Sequence, residues 1–343
     1  MQLQKAPNTT ATINNKEYLF FSGTSYLGVP MLPEFQNVLT KSILKWGTSY
    51  GSSRSANLKL NIYQKGEQYL SNFLKTEDAV TVSSGTLAGQ FALNSLKEKV
   101  DAFYYMPKTH PAILIEKAKP VFENSEINFD LKNSENKSVC ILVDSIASLE
   151  TMPFSFEFLN TISESNTIYI LLDESHSLGV LGKNGSGISS QIPDAKNIKT
   201  IIVSSLGKAF GVNGGVIAGS KDFISLIKKD PMFIGSAGMS PSFLDTIVNG
   251  KEIYQNQLKK LRENCSYVYE KLKHLSAIKM SENYPVFFFK NDEIADYLYK
   301  NNILITSFYY PSSTKKINRI VLNANHTKKQ LDSLIDCLIQ FKL

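Results

Sequence analysis

Five short apolar runs set the architecture of the chain's middle: DAVTV (78–82), AFYYM (102–106), SVCILVD (138–144), TIYILLD (167–173) and KTIIVSS (199–205). They are rich in β-branched and aliphatic residues, and segments of helical spacing lie among them, at 85–96 and near 110–118, 154–164 and 221–229. Strands that are apolar throughout and alternate with helices need cover on both faces. That requirement points to a mainly parallel sheet in an α/β layer architecture.

The flanks read differently. Residues 1–17 are polar and read as loose, and YLFFSGTSYLGVP (18–30) reads as a strand and a Gly/Pro turn. Helical spacing follows at 31–46 and 60–75. After residue 231 comes a bridge containing a long helix. PVFFFK, a helix at about 292–301, ILITSFYY (303–310), NRIVLNA (318–324) and a helix from Thr327 then form a compact α+β unit. At roughly 150 residues per domain, a chain of 343 residues holds about two domains. We divide it into an N-terminal segment (1–45), a large domain (46–235) and a bridging helix with a small C-terminal domain (236–343).

Composition narrows the function. Lys+Arg 37 against Asp+Glu 31 gives +6, but the arginines are only Arg54, Arg262 and Arg319, and no basic block occurs. Nucleic-acid readers favour arginine's planar fork, so this class is set aside. Cys140, Cys265 and Cys337 are unclustered, which implies no zinc site and a reducing compartment. The opening MQLQKAPNTT is no signal peptide, and no run reaches the ~18–20 apolar residues of a membrane span. The expectation is a cytoplasmic protein without a membrane span or bound metal.

Three strand ends carry unusual groups, and in α/β sheets ligands sit beyond the carboxyl ends of strands. At SSGT (83–86) a strand gives way to a helix through small and hydroxyl residues. Free N–H groups and positive partial charge there suit a phosphate, although an ordinary capped helix has the same sequence. At LLDESHSLGVLGKNGSG (171–187), Asp173 closes an apolar strand with His176 three residues on; the pairing fits a site or a purely structural contact. At SSLGKAFGVNGG (204–215), Lys208 sits among glycines without forming a Walker loop. In this order the parts match the needs of pyridoxal 5'-phosphate: a helix start for phosphate, an acid for the ring nitrogen and a lysine for the Schiff base.

Here the chain resembles the α-oxoamine synthases among the fold-type I pyridoxal phosphate enzymes. YLG (26–28) is similar to the family's N-D-Y-L-G-L, YGSSR (50–54) to G-S-G-G-S-R, and SSGTLA (83–88) to S-S-G-Y-x-A-N. DESHSLGVLGKNGSG (173–187) resembles D-E-A-H-x-x-G-x-x-G-x-x-G-x-G, LGKAFGVNGG (206–215) resembles the Schiff-base segment, and INRIVLNANHTKKQLD (317–332) resembles the closing R-L-R-L-x-x-x-x-x-H-T-x-x-D-I-D. The resemblance implies a large domain with a mainly parallel sheet of seven-stranded type and a small C-terminal α+β domain. It implies that Lys208 carries the cofactor, Asp173 pairs with its ring nitrogen, and His176 and Ser148 approach its ring oxygen. His110 would stack on the ring, although before Pro111 it also fits a helix cap. Ser84, Gly85, Thr86 and Ser205 would contact the phosphate. Arg319 would clamp a substrate carboxylate, or be an edge-strand charge.

The implied activity condenses an amino acid with an acyl-CoA thioester, losing carboxylate to give an α-amino ketone, in a homodimer that shares its active site. An aminotransferase or carbon–carbon lyase of the same fold, or a non-catalytic scaffold, remains open. Departures fall toward substrate recognition. Thr24 replaces the family's asparagine, ANLKLNIY (56–63) lacks its histidine, and GSAGMSP (235–241) has Ala237 and Gly238 where hydroxyl residues stand. Arg54 reads as a structural or interface charge and His326 as a cap. His274, Arg262 and the cysteines have no site context.

Overall fold

The structure is a computed structural model that describes residues 2–309 and 316–341. It divides into two compact units, residues 33–251 and residues 1–32 with 252–343. The sequence division is therefore redrawn at the N-terminus. Residues 10–17, read as loose, are ordered: strand β1 (Thr10–Ile13) pairs with β2 (Lys16–Phe21), which contains the strand read from residue 18, in a hairpin that belongs with the C-terminal part.

In the larger unit, α1 (Pro33–Trp46) and α2 (Asn61–Leu74) precede β3 (Asp78–Val82) and α3 (Gly85–Leu96). Then come β4 (Ala102–Tyr105), β5 (Lys119–Pro120), β6 (Ser138–Asp144), β7 (Thr167–Asp173), β8 (Ile198–Ser205), β9 (Gly215–Gly219), α4 (Lys221–Lys229) and α5 (Pro241–Asn249). Among the described residues the strands form a seven-stranded sheet in the order β3-β9-β8-β7-β6-β4-β5. Strands β4, β6, β7 and β8 are parallel, and β9 runs antiparallel to both β8 and β3.

The strands are apolar throughout because both faces are covered. On one side Leu142, Leu171 and Val203 pack with Phe91 and Leu96 of α3 and Ile224 of α4; on the other Ile141, Ile170 and Leu172 pack with Phe156, Leu159 and Ile162. Each such fully buried side chain is worth about 1.5–3 kcal/mol.

Two expected helices are shorter than their spacing implied. The segment near 110–118 holds only a 3-10 turn, Pro111–Ile113, because Leu114 is already extended; that near 154–164 is a 3-10 turn, Glu157–Thr161. The bridge after 231 contains α5 and the long α6 (Lys251–Leu272).

In the smaller unit, β10 (Ile278–Lys279), β11 (Val286–Phe289), α7 (Ile294–Lys300), β12 (Ile303–Tyr309), β13 (Lys316–Val321) and α8 (Lys328–Gln340) follow α6. Tyr310, the last residue of the ILITSFYY strand reading, lies outside the described residues. The sheet order is β1-β2-β12-β13-β11-β10, with β2 parallel to β12. Thr327, not His326, caps α8, through a reciprocal capping box with Gln330.

His326 is instead a buried brace. Its Nδ1 accepts from Asn323 N at 2.9 Å, its Nε2 donates to Phe20 O at 3.0 Å, and its ring stacks on Phe21 at 4.1 Å. Burial lowers its pKa to about 4, against the opposing pull of these two backbone hydrogen bonds. A depressed histidine pKa means that the unfolded chain takes up the proton first. Stability is thus full above about pH 6.5 and falls as pH drops toward 4. We expect a loss of about 3 kcal/mol across that window, much of it absent in His326→Gln, as measured by denaturant unfolding at pH 7.5 and 4.5.

Candidate active site

Strand register sets the level of the strand ends in the larger unit. Asp144 at the end of β6 pairs with Asp173 at the end of β7, and Asp173 with Val203 two residues before the end of β8. Ser205 N donates to Ser175 Oγ at 2.8 Å, tying the β8 end to the segment after β7.

The turn into α3 is built by close approach. Ser84 caps α3, accepting from Leu87 N at 3.2 Å. A Cβ added to Gly85 would lie 2.6 Å from Ser205 Cβ, and one on Gly215 would lie 2.2 Å from Ser84 O. Only glycine at both places lets the start of α3 meet the β8 end and the β9 start. Ser84, Gly85, Thr86 and Ser205 are thereby gathered around a helix N-terminus whose N–H groups and dipole favour an anion. Ser84 and Thr86 are exposed.

Lys208 follows β8 in a loop closed by Leu206 N to Gly214 O at 2.9 Å and Val212 N to Leu206 O at 3.2 Å. Its amine shares a hydrogen bond of 2.9 Å with His176 Nε2. Asp173 is buried, and its Oδ1 accepts from Ser175 N at 2.8 Å. Lys208 and His176 thus meet, and Asp173 closes the strand that precedes His176.

Asp144 was not singled out in the sequence, although it closes an apolar strand just as Asp173 does. Its Oδ2 accepts from His110 N at 2.7 Å, so it anchors the His110 backbone beside the paired acids. Burial first, and then the neighbouring Asp173, push its carboxyl up to about 8, against the His110 N–H and the Lys208 charge.

His110 does cap the short turn, with Nδ1 accepting from Ala112 N at 3.1 Å, while the residue stays exposed. Capping and stacking are compatible, because the cap uses a ring-edge nitrogen and leaves the ring faces. Ser148 is exposed in a turn after β6, and the structure gives it no hydrogen bond to the other site residues. Arg319 lies in the smaller unit, on β13 opposite Phe288 and Thr306. Its Nε is buried and has no hydrogen-bond partner among the described residues.

Two further acids frame the site. Glu174 is fully buried; its Oε1 accepts from Ile188 N and Ser189 N at 2.8 Å each, and its other oxygen accepts from Ser177 Oγ. It closes the glycine-rich loop after β7, and burial raises its pKa to about 7. Glu67 binds Arg54 at 2.7 Å and also accepts from Thr81 N and Oγ1. Arg54 donates to Thr81 O at 2.8 Å and lies under the Tyr63 ring at 4.2 Å. It is therefore structural within this unit, and losing one partner of such a buried pair costs about 3–5 kcal/mol. The pair also accounts for Gly238: a Cβ there would sit 2.9 Å from Arg54 Cδ. Nothing in the structure explains Thr24.

Among the described residues no cluster of three or more His, Cys, Asp or Glu could hold a metal, and no helix is long and apolar enough to cross a membrane.

A family model described as aminotransferase class I and II matches residues 35–338. The 8-amino-7-oxononanoate synthase of Petrotoga mobilis is 26% identical over 353 residues, covering 96% of this chain and 90% of that protein. Among solved structures, the serine palmitoyltransferase of Sphingomonas wittichii superposes with a TM-score of 0.84 at 17% identity, over 99% of this chain and 91% of that one. The 8-amino-7-oxononanoate synthase of Francisella tularensis gives 0.72 at 22% identity, over 95% and 98%. These structural matches speak for the fold.

Proposed function

The chain belongs to the aminotransferase class I and II family, and from that premise we propose that it joins an amino acid to an acyl thioester, with loss of carbon dioxide, using pyridoxal 5'-phosphate. The observation that carries this reading is the meeting of Lys208 and His176 at 2.9 Å beside the Asp173 strand end. The close approach of Gly85 to Ser205, which brings Ser84, Gly85, Thr86 and Ser205 together at a helix N-terminus, supports a phosphate there. Asp173 would hold a proton on the ring nitrogen, His176 and Ser148 would face the ring oxygen, and His110 would lie against the ring. When bound, the cofactor supplies an electron sink for the substrate's Cα.

The protein's own groups do the rest. Lys208 would hold the cofactor and would serve as the base for the substrate's Cα proton, a task for an amine held close by His176. Arg319 holds the carboxylate bidentately, so that the bond to be broken is fixed in direction. The Cα electron pair forms a bond to the acyl carbon, the C–S bond breaks, and the thiol leaves with a proton. The bond from Cα to the carboxylate then breaks to release carbon dioxide, and Cα regains a proton, leaving an α-amino ketone.

The skeleton named in the relatives divides between C7 and C8 into a unit that alanine leaves after decarboxylation and a seven-carbon acyl unit. Alanine with a seven-carbon dicarboxylic acyl-CoA is therefore the first substrate pair to test. Free thiols at Cys140, Cys265 and Cys337 support a reducing, cytoplasmic setting. Exposed Leu44 (83%) and Leu58 (73%), flanking the 47–57 loop, support a homodimer.

The test is a panel of glycine, L-alanine and L-serine against acyl-CoA esters, with thiol release and amino transfer to 2-oxo acids followed together. We expect thiol release that depends on the amino acid. Amino transfer with no thiol release from any ester would replace this reading with an aminotransferase.

A further inference from the structure

Resting on the assignment of pyridoxal 5'-phosphate to this site, we propose that Ser175 is a positioning residue. Its hydroxyl ties the acid assigned to the cofactor's ring to the residues assigned to its phosphate.

The ladder between β7 and β8 stops short of the site. Its last paired residues are Asp173 and Val203, and Glu174 N donates to Val203 O at 2.8 Å just beyond them. Strand β8 runs on to Ser205, where β9 still pairs with it on the other edge, Ser205 opposite Gly215. On the β7 side the chain has already left the strand and entered a turn at Ser175. Ser205 N donates across this gap to a side chain, the Ser175 hydroxyl, at 2.8 Å. The link between the two strand ends thus continues past the last ladder bond.

Ser175 holds both ends of that link. Its own N donates to Asp173 Oδ1 at 2.8 Å, which fixes the direction of the carboxylate, while its Oγ fixes the end of β8. Ser205 carries the connection onward in two directions. Its Oγ accepts from Gly207 N at 3.2 Å, in the turn that leads to Lys208. Its Cβ is the atom that a side chain on Gly85, the first residue of α3, would meet at 2.6 Å. Asp173 is therefore joined to the start of α3 through Ser175 and Ser205, residue against residue. Ser175 is only 8% exposed, so solvent competes little for its hydrogen bond.

This hydroxyl is a feature of the present chain. The D-E-A-H motif that residues 173–176 resemble has alanine at this place, and here the sequence reads Asp173-Glu174-Ser175-His176. An alanine keeps the N–H that holds Asp173 and has nothing to accept from Ser205.

The consequence is for a ligand held at two ends. A ring and its phosphate are parts of one small molecule, and gripping both at once gains affinity only where the two grips already stand at the matching separation. Slack between them is a cost of binding, and a bond that removes it acts by pre-organisation. Each end gripped alone gains nothing from that bond.

The test uses the full-length wild type and Ser175→Ala, both freed of cofactor and titrated with pyridoxal 5'-phosphate, with pyridoxal and with inorganic phosphate. The visible band reports the first two, and calorimetry the third. Ser175→Ala should weaken pyridoxal 5'-phosphate roughly five- to tenfold, the size of one lost hydrogen bond, and leave pyridoxal and phosphate each within about twofold of wild type. A merely structural role would not give that split. Equal weakening of all three ligands would mean a loosened fold, and wild-type affinity for pyridoxal 5'-phosphate would mean an idle bond. Either result overturns the role of Ser175 and leaves the cofactor reading in place. Failure of the wild-type chain to bind pyridoxal 5'-phosphate would overturn the cofactor reading and this proposal with it.

Discussion

Asp173→Asn is expected to lower kcat about a thousandfold while the cofactor stays attached to Lys208. The size follows from electrostatics: an ion pair near ~4 Å is worth about 4 kcal/mol at an effective dielectric of 20, and each ~1.4 kcal/mol is tenfold in rate. Asparagine is nearly isosteric, and its amide oxygen can still accept the 2.8 Å hydrogen bond from Ser175 N. The β7 register to Asp144 and Val203 needs only backbone groups. The variant therefore separates charge from shape. Steady-state kinetics, with the visible band of the bound cofactor as a check on loading, would measure it. Loss of less than tenfold with full loading would mean that Asp173 does not serve the ring nitrogen.

Lys208→Ala should have the larger effect. It removes both the cofactor's attachment and the base for the Cα proton; base catalysis alone contributes about 10²–10⁴-fold. Turnover should fall by at least ~10³, and the visible band should be lost on dialysis. The fold should survive, because Lys208 is only half-buried and the Leu206–Gly214 loop closes through backbone hydrogen bonds. A variant that keeps its band through dialysis would move the attachment to another residue.

What could be read from the sequence was what local pattern decides. The runs ending at Asp173 and Ser205 are apolar because both faces are buried, so strand, strand end and the following Lys208 loop were visible together. Strand β9 had no reading from the sequence, and its antiparallel pairing to both β8 and β3 makes Gly215–Gly219 a strand. The first strand of the hairpin, residues 10–13, was hidden for a related reason, since the sheet that holds the hairpin is completed by β12, nearly three hundred residues away.

The same division runs through the site. Asp144 carried a visible signal, an acid closing an apolar strand, but its bond to the His110 backbone depends on two loops meeting. His110 read first as a stacking ring, with a cap as the alternative, and the structure makes the cap real without spending the ring faces. Arg54 read as structural or interfacial; Glu67, one helix away, settles it as structural.

The central claim is that Lys208 is the residue to which pyridoxal 5'-phosphate is bound. Reduction of the holoenzyme with borohydride, digestion and mass spectrometry of the peptides tests it most directly. The account predicts a pyridoxyl increment on the peptide containing Lys208 and on no other lysine at comparable occupancy. An increment located on a different lysine, or none in protein saturated with the cofactor, would contradict it.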